Sequence, residues 1–284
     1  MNPDKSKKMK YKVCISIPVH EAPDIVVDQI NNLRFYYNNE CVIVIHISRG
    51  FKMPDEIFSD RAYNFIDMED VIVNPYSYPT QWGDLMYLHN SNFRHACSVV
   101  DFDYFVLHAS NDLYLRHGSI NYIERRQNGV SPHLFEAWHW NPIMEKDNEL
   151  KKLLQYVGCK KAYLSPVEGT FYKKETFTQM LDLIDNFYCY GESNQPLYPR
   201  EEVFYPTLMK AMEEDHGTPI AYGPHTIGDK ITMDTVFQIR YGVYHNPKTE
   251  HLYDFSTLYA LKGFPREYNN LYRVIVRRLM EQVI

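Results

Sequence analysis

Two adjacent carboxylates stand before an apolar run in residues 198–209, YPREEVFYPTLM, where Glu201 and Glu202 follow a proline and an arginine. A carboxylate that faces a cleft can act as a general base and accept a proton from a hydroxyl group. Acidic side chains in a first helical turn also stabilise the helix, at under ~1 kcal/mol each, because they meet the positive end of its dipole. From this stretch alone helix capping is favoured, since helix starts are far commoner than catalytic bases.

Two cations stand among aromatic and apolar residues nearer the C-terminus: Arg240 in QIRYGVYHN and Lys262 in TLYALKGFPRE. Arg240 is predicted to end a strand-like run. A single arginine or lysine is usually a solvated surface charge. A cation embedded in an apolar stretch more often has a partner, and a diphosphate suits both side chains.

An Asp-x-Asp pair, Asp101 and Asp103, raises the possibility of a divalent metal. Many nucleotide-sugar enzymes hold a metal with this motif when it follows an apolar strand. Here the pair precedes the strand YFVLHAS, which predicts that both carboxylates lie at the strand end away from the cleft. No metal is expected, and the sequence has no glycine-rich phosphate loop, nucleophile elbow or standard zinc spacing.

The composition narrows the class of protein. The chain has 284 residues, 45% of them hydrophobic and 23% charged, as is ordinary for a globular protein. A net charge of −6 argues against a nucleic-acid binder. Five dispersed cysteines, and an N-terminus without the apolar segment of a signal peptide, favour a cytoplasmic location, with peripheral contact at the inner membrane as an option.

Strand patterns alternate with helical patterns up to residue ~125. YKVCISIPVH has the pattern of a strand, and CVIVIHISRG is a second strand that is apolar on both faces, as expected inside a parallel sheet. The predicted fold class is α/β, with a doubly wound, mostly parallel central sheet flanked by helices. Residues 1–284 are expected to form one domain, with a more regular half of about 11–125 and a less regular half of about 126–284.

Ligands of open α/β sheets bind at the carboxyl ends of the strands. The segments PVHEAP, HISRGF, NPYSYPTQW and HASNDLYL are expected to meet there. They contribute the candidate ligand-binding residues Val19, His20, Ser48, Trp82, Asn111 and Asp112.

The aromatic loop HLFEAWHWNP carries Glu136, Trp138 and Trp140. Indole faces stack on sugar rings and a carboxylate accepts hydrogen bonds from sugar hydroxyls, so the loop is predicted to line an acceptor site. The alternative is that both tryptophans cap the core.

The C-terminal segment REYNNLYRVIVRRLMEQVI predicts an amphipathic basic helix, with Arg273, Arg277 and Arg278 beside an apolar stripe. Such a helix suits weak contact with a membrane surface. Packing on the core or in a dimer is favoured, because the apolar stripe is continuous. The sequence leaves the oligomeric state open.

The order of these motifs resembles glycosyltransferase family 14, the core-2-type β-1,6-N-acetylglucosaminyltransferases and the xylosyltransferases. The resemblance spans roughly residues 12 to 266 and runs through PTQWGDLMYLHNSNF, SNDLYL, GTFYKKETF, PREEVFYPTL, IRYGVY and LYALKGF. Two positions depart from the family: Arg200 is inserted in its Pro-Asp-Glu motif, and Ser48 replaces an aspartate that lies near the nucleobase.

The resemblance implies a metal-free GT-A fold in which Glu202 is the catalytic base, supported by Glu201, while Arg240 and Lys262 neutralise a diphosphate. It also implies that the half of about 11–125 binds the nucleotide, with the six ligand-binding residues named above at the donor, and that the half of about 126–284 holds the acceptor and the base. Gly169, in GTFYKKETF, falls on the acceptor side. The implied reaction is inverting transfer of a hexosyl or pentosyl group from a nucleotide sugar, with UDP as the expected nucleotide, to a glycan or glycolipid, as in bacterial polysaccharide assembly. No cofactor is expected.

The helix dipole is expected to lower the pKa of Glu202 and keep its carboxylate ionised. Two other functions stay open on the sequence: a metal-dependent GT-A transferase of another family, and a carbohydrate-binding protein without catalysis.

Overall fold

The computed structural model describes residues 8–20, 22–51, 69–80, 83, 85–134, 141–186, 198–224 and 230–282. The strands are β1 (Lys10–Val19), β2 (Cys41–Ile47), β3 (Val71–Val73), β4 (Asp101–Leu107), β5 (Leu113–Tyr114), β6 (His133–Leu134), β7 (Tyr163–Leu164), β8 (Phe171–Lys173), β9 (Ala221–Tyr222) and β10 (Ala260–Leu261). The helices are α1 (Pro23–Tyr36), α2 (Met86–Val99), α3 (Ser119–Arg126), α4 (Asn141–Met144), α5 (Asn148–Tyr156), α6 (Lys174–Asp185), α7 (Glu201–Met212), α8 (Met233–Tyr241) and α9 (Leu271–Glu281).

The main sheet has the strand order β3-β2-β1-β4-β8. Its first four strands are parallel, and β8 runs antiparallel to β4. The predicted α/β class with a mostly parallel central sheet is therefore confirmed. Strands β2 and β3 lie on one side of β1, and β4 lies on the other. Where the strand order reverses in this way, a crevice is expected at the carboxyl ends of the two neighbouring strands, here β1 and β4.

Alternate residues of β1 enter different layers of the core. Val13 and Ile15 pack with α1, whereas Cys14 packs in the layer that holds α2, α6 and α7. All three side chains are fully buried. This two-sided burial explains why the central strands read as continuous apolar runs.

A smaller sheet of order β5-β10-β9 adjoins the main sheet. β10 runs antiparallel to β5 and parallel to β9, and Leu261 is paired with Leu113. Asp112 and Lys262 are the next residues outward on these two strands. Both sheets draw strands from before and after residue 126, so the two halves inferred from the sequence interleave.

The prediction that Arg240 ends a strand-like run is wrong, because Arg240 lies in α8. The side chain of Thr232 accepts a hydrogen bond from the Thr235 N–H and caps the helix start. Gly242, in the left-handed region at φ +69°, ends the helix. These local caps outweigh the strand preference of the aromatic residues around Arg240.

The C-terminal helix α9 packs against α1 through charged side chains. Arg273 is fully buried and its Nη1 donates to Asp28 Oδ2 at 2.6 Å. Arg277 Nη1 donates to the other oxygen of Asp28 at 3.1 Å. Two of the three arginines of the proposed membrane-facing surface thus contact α1, which agrees with the favoured interpretation of core packing. Within the described ranges, no helix combines the length and apolar character needed to cross a membrane.

Candidate active site

Glu201 and Glu202 form the first turn of α7, and Arg200 fixes where that helix begins. The Arg200 side chain is buried and donates to both carboxylate oxygens of Asp147, at 3.0 and 3.1 Å. It also pairs with Glu149 at 2.9 Å. Asp147 in turn caps α5 by accepting the Glu149 N–H. The inserted arginine is therefore an anchor between α5 and the turn that carries both glutamates.

Glu202 is half-buried, whereas Glu201 is buried, so Glu202 is the more accessible glutamate of the pair. Burial, followed by repulsion from Glu168, raises the pKa of Glu202 well above its usual value, and Lys262 opposes the shift. The expectation that the helix dipole lowers this pKa is wrong, because loss of water and a neighbouring carboxylate outweigh the dipole. A carboxylate of raised pKa is a stronger base once it is ionised.

Lys262 is the cation of this site. Its Nζ contacts the carboxylate of Glu168, which is 7% exposed, while the lysine side chain is 31% exposed. Burial by itself lowers the pKa of Lys262, but the carboxylates of Glu168, Asp112 and Glu202 raise it above its ordinary value. The ammonium is therefore protonated across the physiological range. These four residues are called the carboxylate–lysine cluster below.

Asp112 forms the buried floor of the cluster. Its Oδ2 accepts hydrogen bonds from His108 Nδ1 at 3.0 Å and from the Ala109 N–H at 2.9 Å. His108 Nε2 contacts the Tyr114 hydroxyl at 2.8 Å. The second oxygen, Oδ1, is buried and has no hydrogen-bond partner in the described part of the chain. Burial raises the pKa of Asp112, and Glu168 adds to the increase.

Gly169 positions Glu168 by a backbone contact that only glycine can make. It lies at φ +71°, and a Cβ placed there would be 2.3 Å from the Ala221 backbone nitrogen. Its N–H donates to the Leu107 carbonyl at 2.7 Å, and its carbonyl accepts the Ile220 N–H at 3.0 Å. Gly169 therefore joins the end of β4 to the smaller sheet.

Gly169→Ala is expected to destabilise the protein more than Gly158→Ala. Both glycines have positive φ, so both substitutions carry a backbone cost of about 1–2 kcal/mol. A Cβ at Gly158 meets nothing within 4 Å, whereas one at Gly169 must displace the backbone at Ala221. Urea unfolding measures the free energy of unfolding of each variant, and we expect the loss in Gly169→Ala to exceed that in Gly158→Ala by more than about 1 kcal/mol. Equal losses would contradict close packing at Gly169.

Val19 and Ser48 come together at the mouth of the crevice, as predicted for residues that end neighbouring strands. The Ser48 N–H donates to the Val19 carbonyl at 3.0 Å, and its Oγ accepts the Thr80 N–H at 3.1 Å. Nearby, the Tyr78 ring stacks on His46 at an interplanar angle of 4°. His20 follows β1 and is exposed.

The structure does not bring Arg240 next to Lys262. Arg240 Nη1 donates to the Leu115 carbonyl at 2.6 Å and to the Tyr36 hydroxyl at 3.2 Å. Leu115 lies three residues along the chain from Asp112, the neighbour of Lys262. Arg240 and Lys262 thus contact different residues, and their joint binding of one diphosphate stays a prediction.

Of the remaining donor residues, Asn111 lies close to Lys262, since its Nδ2 donates to the Phe264 carbonyl at 3.3 Å. The other predictions cannot be placed: Trp82, Glu136, Trp138 and Trp140 lie outside the described residues.

The Asp-x-Asp pair lies at the amino end of β4, as the sequence predicted. Asp101 accepts a hydrogen bond from Lys174 Nζ at 2.8 Å, and Asp103 pairs with Lys10 at 3.2 Å. Across the ranges that the structure describes, no group of three or more His, Cys, Asp or Glu side chains is arranged to hold a metal ion.

Sequence reasoning missed Glu168 and His108. Glu168 directly precedes Gly169, which has a positive φ. The acid–glycine pair in VEGTF is the one local feature of the sequence that could have indicated Glu168. His108 lies in the segment HASNDLYL, four residues before Asp112, and its pairing with that carboxylate depends on the turn between them.

Solved structures that match this chain do so at low sequence identity. A structure of an active-site mutant of LgtC superposes with a TM-score of 0.47 at 6% identity, over 95% of both chains. The galactosyltransferase LgtC in complex with donor and acceptor sugar analogs gives 0.46 at 8% identity, also over 95% of both chains. S. aureus TarS gives a TM-score of 0.36 at 13% identity, over 60% of this chain and 29% of TarS. The sequence matches no protein-family model and no curated protein.

Proposed function

We propose that the chain is an inverting, metal-independent glycosyltransferase of GT-A type. It transfers a sugar from a nucleotide sugar, with UDP as the expected nucleotide, to a hydroxyl group of a glycan or glycolipid. The observation that carries the proposal is the carboxylate–lysine cluster. In it Lys262 Nζ contacts the carboxylate of Glu168, and Glu202, half-buried at the start of α7, has a pKa raised by burial and by Glu168.

Each member of the cluster has a role in this reaction. Glu202 accepts the proton of the acceptor hydroxyl as its oxygen bonds to the anomeric carbon. The bond between that carbon and the phosphate oxygen breaks, and its electron pair leaves with the nucleoside diphosphate. Lys262 stabilises the negative charge that develops on the leaving group. Attack from the face opposite the leaving group inverts the anomeric configuration.

Lys262 can contact Glu168 and a diphosphate at once, because an ammonium group has three N–H donors. Glu168 directs the lysine and keeps it charged. Asp112 is too deeply buried to reach a ligand and acts by holding the turn between β4 and β5. The nucleoside would lie beside Val19 and Ser48, where β1 and β2 end.

UDP is expected to bind in the presence of EDTA, and Lys262→Gln is expected to weaken its binding by roughly 10–100-fold. This is the usual value of a hydrogen bond to a charged group, about 1.5–3 kcal/mol. Calorimetry on the folded protein measures the affinity. Lys174→Gln is the matched control, because Lys174 pairs with Asp101 at the other end of β4.

Binding that disappears with EDTA and returns with Mn²⁺ would instead favour a metal-dependent transferase. A protein that binds sugars but ignores UDP would be a carbohydrate-binding protein. Equal UDP affinity of wild-type protein and Lys262→Gln would remove Lys262 from the donor site.

A further inference from the structure

A pocket outside the carboxylate–lysine cluster is lined mainly by polar and basic side chains. It encloses about 320 Å³ between the end of α3, strand β6, and the segments 216–218 and 251–254. Small-molecule sites commonly measure about 300–1,000 Å³, so the volume suits one substituted monosaccharide. Its ionisable lining residues are Arg126, His133, His216, His251 and Asp254. We call it the histidine pocket.

Basic groups dominate the histidine pocket. Within the described residues Arg126 forms no ion pair, and its side chain is exposed at the last turn of α3. The rings of His133 and His251 lie 5.3 Å apart. The single acid, Asp254, is engaged elsewhere, since its Oδ1 accepts the Ser256 N–H at 3.1 Å and the Ser256 hydroxyl at 2.6 Å.

His133 supplies an unused polar atom in this pocket. Its Nε2 is buried and has no hydrogen-bond partner among the residues that the structure describes. Burial lowers the pKa of His133, and the neighbouring His251 and His216 lower it further, while the His251 backbone opposes the shift. Arg126 and Asp254 are the charged side chains that also line the pocket. A bound anion would reverse this balance and let the protonated ring donate from Nε2.

The pocket is connected to the proposed base by two consecutive hydrogen bonds. The Ser131 N–H, in the pocket wall, donates to Ser165 Oγ at 3.0 Å. The Ser165 N–H donates to the Glu202 backbone carbonyl at 3.0 Å. A group bound in the histidine pocket therefore lies beside the turn that carries the base.

We propose that the histidine pocket binds a phosphate group carried by the acceptor sugar, with Arg126 and the three histidines as its donors. This rests on the proposed transfer reaction and names the class of its acceptor: a phosphorylated glycan or glycolipid. An anionic group held here would also fix which hydroxyl of the acceptor faces Glu202.

Histidine NMR with added glucose 6-phosphate or glycerol 3-phosphate, each at constant ionic strength, tests the pocket. We expect His133, His216 and His251 to shift together with at least one of these esters, and the pKa of His133 to rise on binding. Arg126→Gln is expected to weaken that ester by about tenfold or more, the value of one charge-assisted contact. Arg125→Gln is the matched control, because this neighbouring arginine lies over the Tyr122 ring and is not among the pocket's lining residues.

A parallel titration with inorganic phosphate distinguishes a phosphate group carried by the acceptor from free phosphate. An ester that binds more tightly than inorganic phosphate supports an acceptor-borne group, whereas inorganic phosphate bound as tightly as both esters would overturn that assignment. The absence of histidine shifts with every probe, or equal weakening in Arg125→Gln, would overturn the site itself. UDP binding measured on the same samples reports on the proposed function independently, so the failure of one proposal is distinguishable from the failure of the other.

Discussion

Glu202→Gln is expected to lower turnover by roughly 10²–10⁴-fold, the usual contribution of a positioned general base. Glutamine keeps the size of the side chain but cannot take the proton of the acceptor hydroxyl. UDP affinity and the unfolding midpoint should change little, because the amide fits the same half-buried position at the start of α7. Steady-state transfer assays with a panel of nucleotide sugars measure the effect.

The pH profile adds a test of the same residue. Since Glu202 must be ionised to accept a proton, kcat/KM should fall as the pH drops through its raised pKa, at a pH above the usual carboxyl range. Glu202→Gln should lose this acid limb. Glu201→Gln, the matched control, should keep both the limb and most of the turnover. Full activity in both variants would mean that the two acids only stabilise the helix start.

Arg200→Met is expected to lower the free energy of unfolding by about 3–5 kcal/mol, because it leaves the carboxylate of Asp147 buried without its cation. Arg200 and Asp147 are both almost fully buried, so water cannot replace the lost partner. Chemical denaturation measures the change. Turnover should also fall, since the turn before Glu202 loses its anchor to α5.

Arg94→Met supplies the control for charge loss in general. Arg94 pairs with Asp185 on the surface, where both side chains are at least 40% exposed, and such a pair contributes only about 0–1 kcal/mol. Similar losses in the free energy of unfolding of the two variants would show that the buried Arg200 pair stabilises the protein no more than a surface ion pair does.

The sequence predicts the strands of the main sheet and the start of α7 because both signals are local. Apolar runs such as β2, buried along its length, follow directly from two-sided packing. The strand at Phe171–Lys173 and the helix after it also agree with the pattern in GTFYKKETF. The location of Asp101 and Asp103 at the amino end of β4 was also predictable, because in the sequence the pair comes before the apolar part of that strand.

The cluster itself depends on contacts between distant parts of the chain. Glu168 and Lys262 are 94 residues apart, and no local pattern indicates that they pair. The direction of the pKa shift of Glu202 has the same origin, because it is set by burial and by Glu168 rather than by the helix that carries the residue. Arg240 was placed in a strand because its neighbours are aromatic, whereas the capping groups at Thr232 and Gly242 decide the helix.

The stereochemical course of transfer in the presence of EDTA tests the central claim most directly. Wild-type protein would be incubated with a panel of nucleotide sugars and phosphorylated acceptors, and the anomeric configuration of the product read by proton NMR. The account predicts release of the nucleoside diphosphate without added metal and a product of inverted configuration. A product that retains the donor's configuration, or transfer that occurs only with a divalent metal, would contradict it.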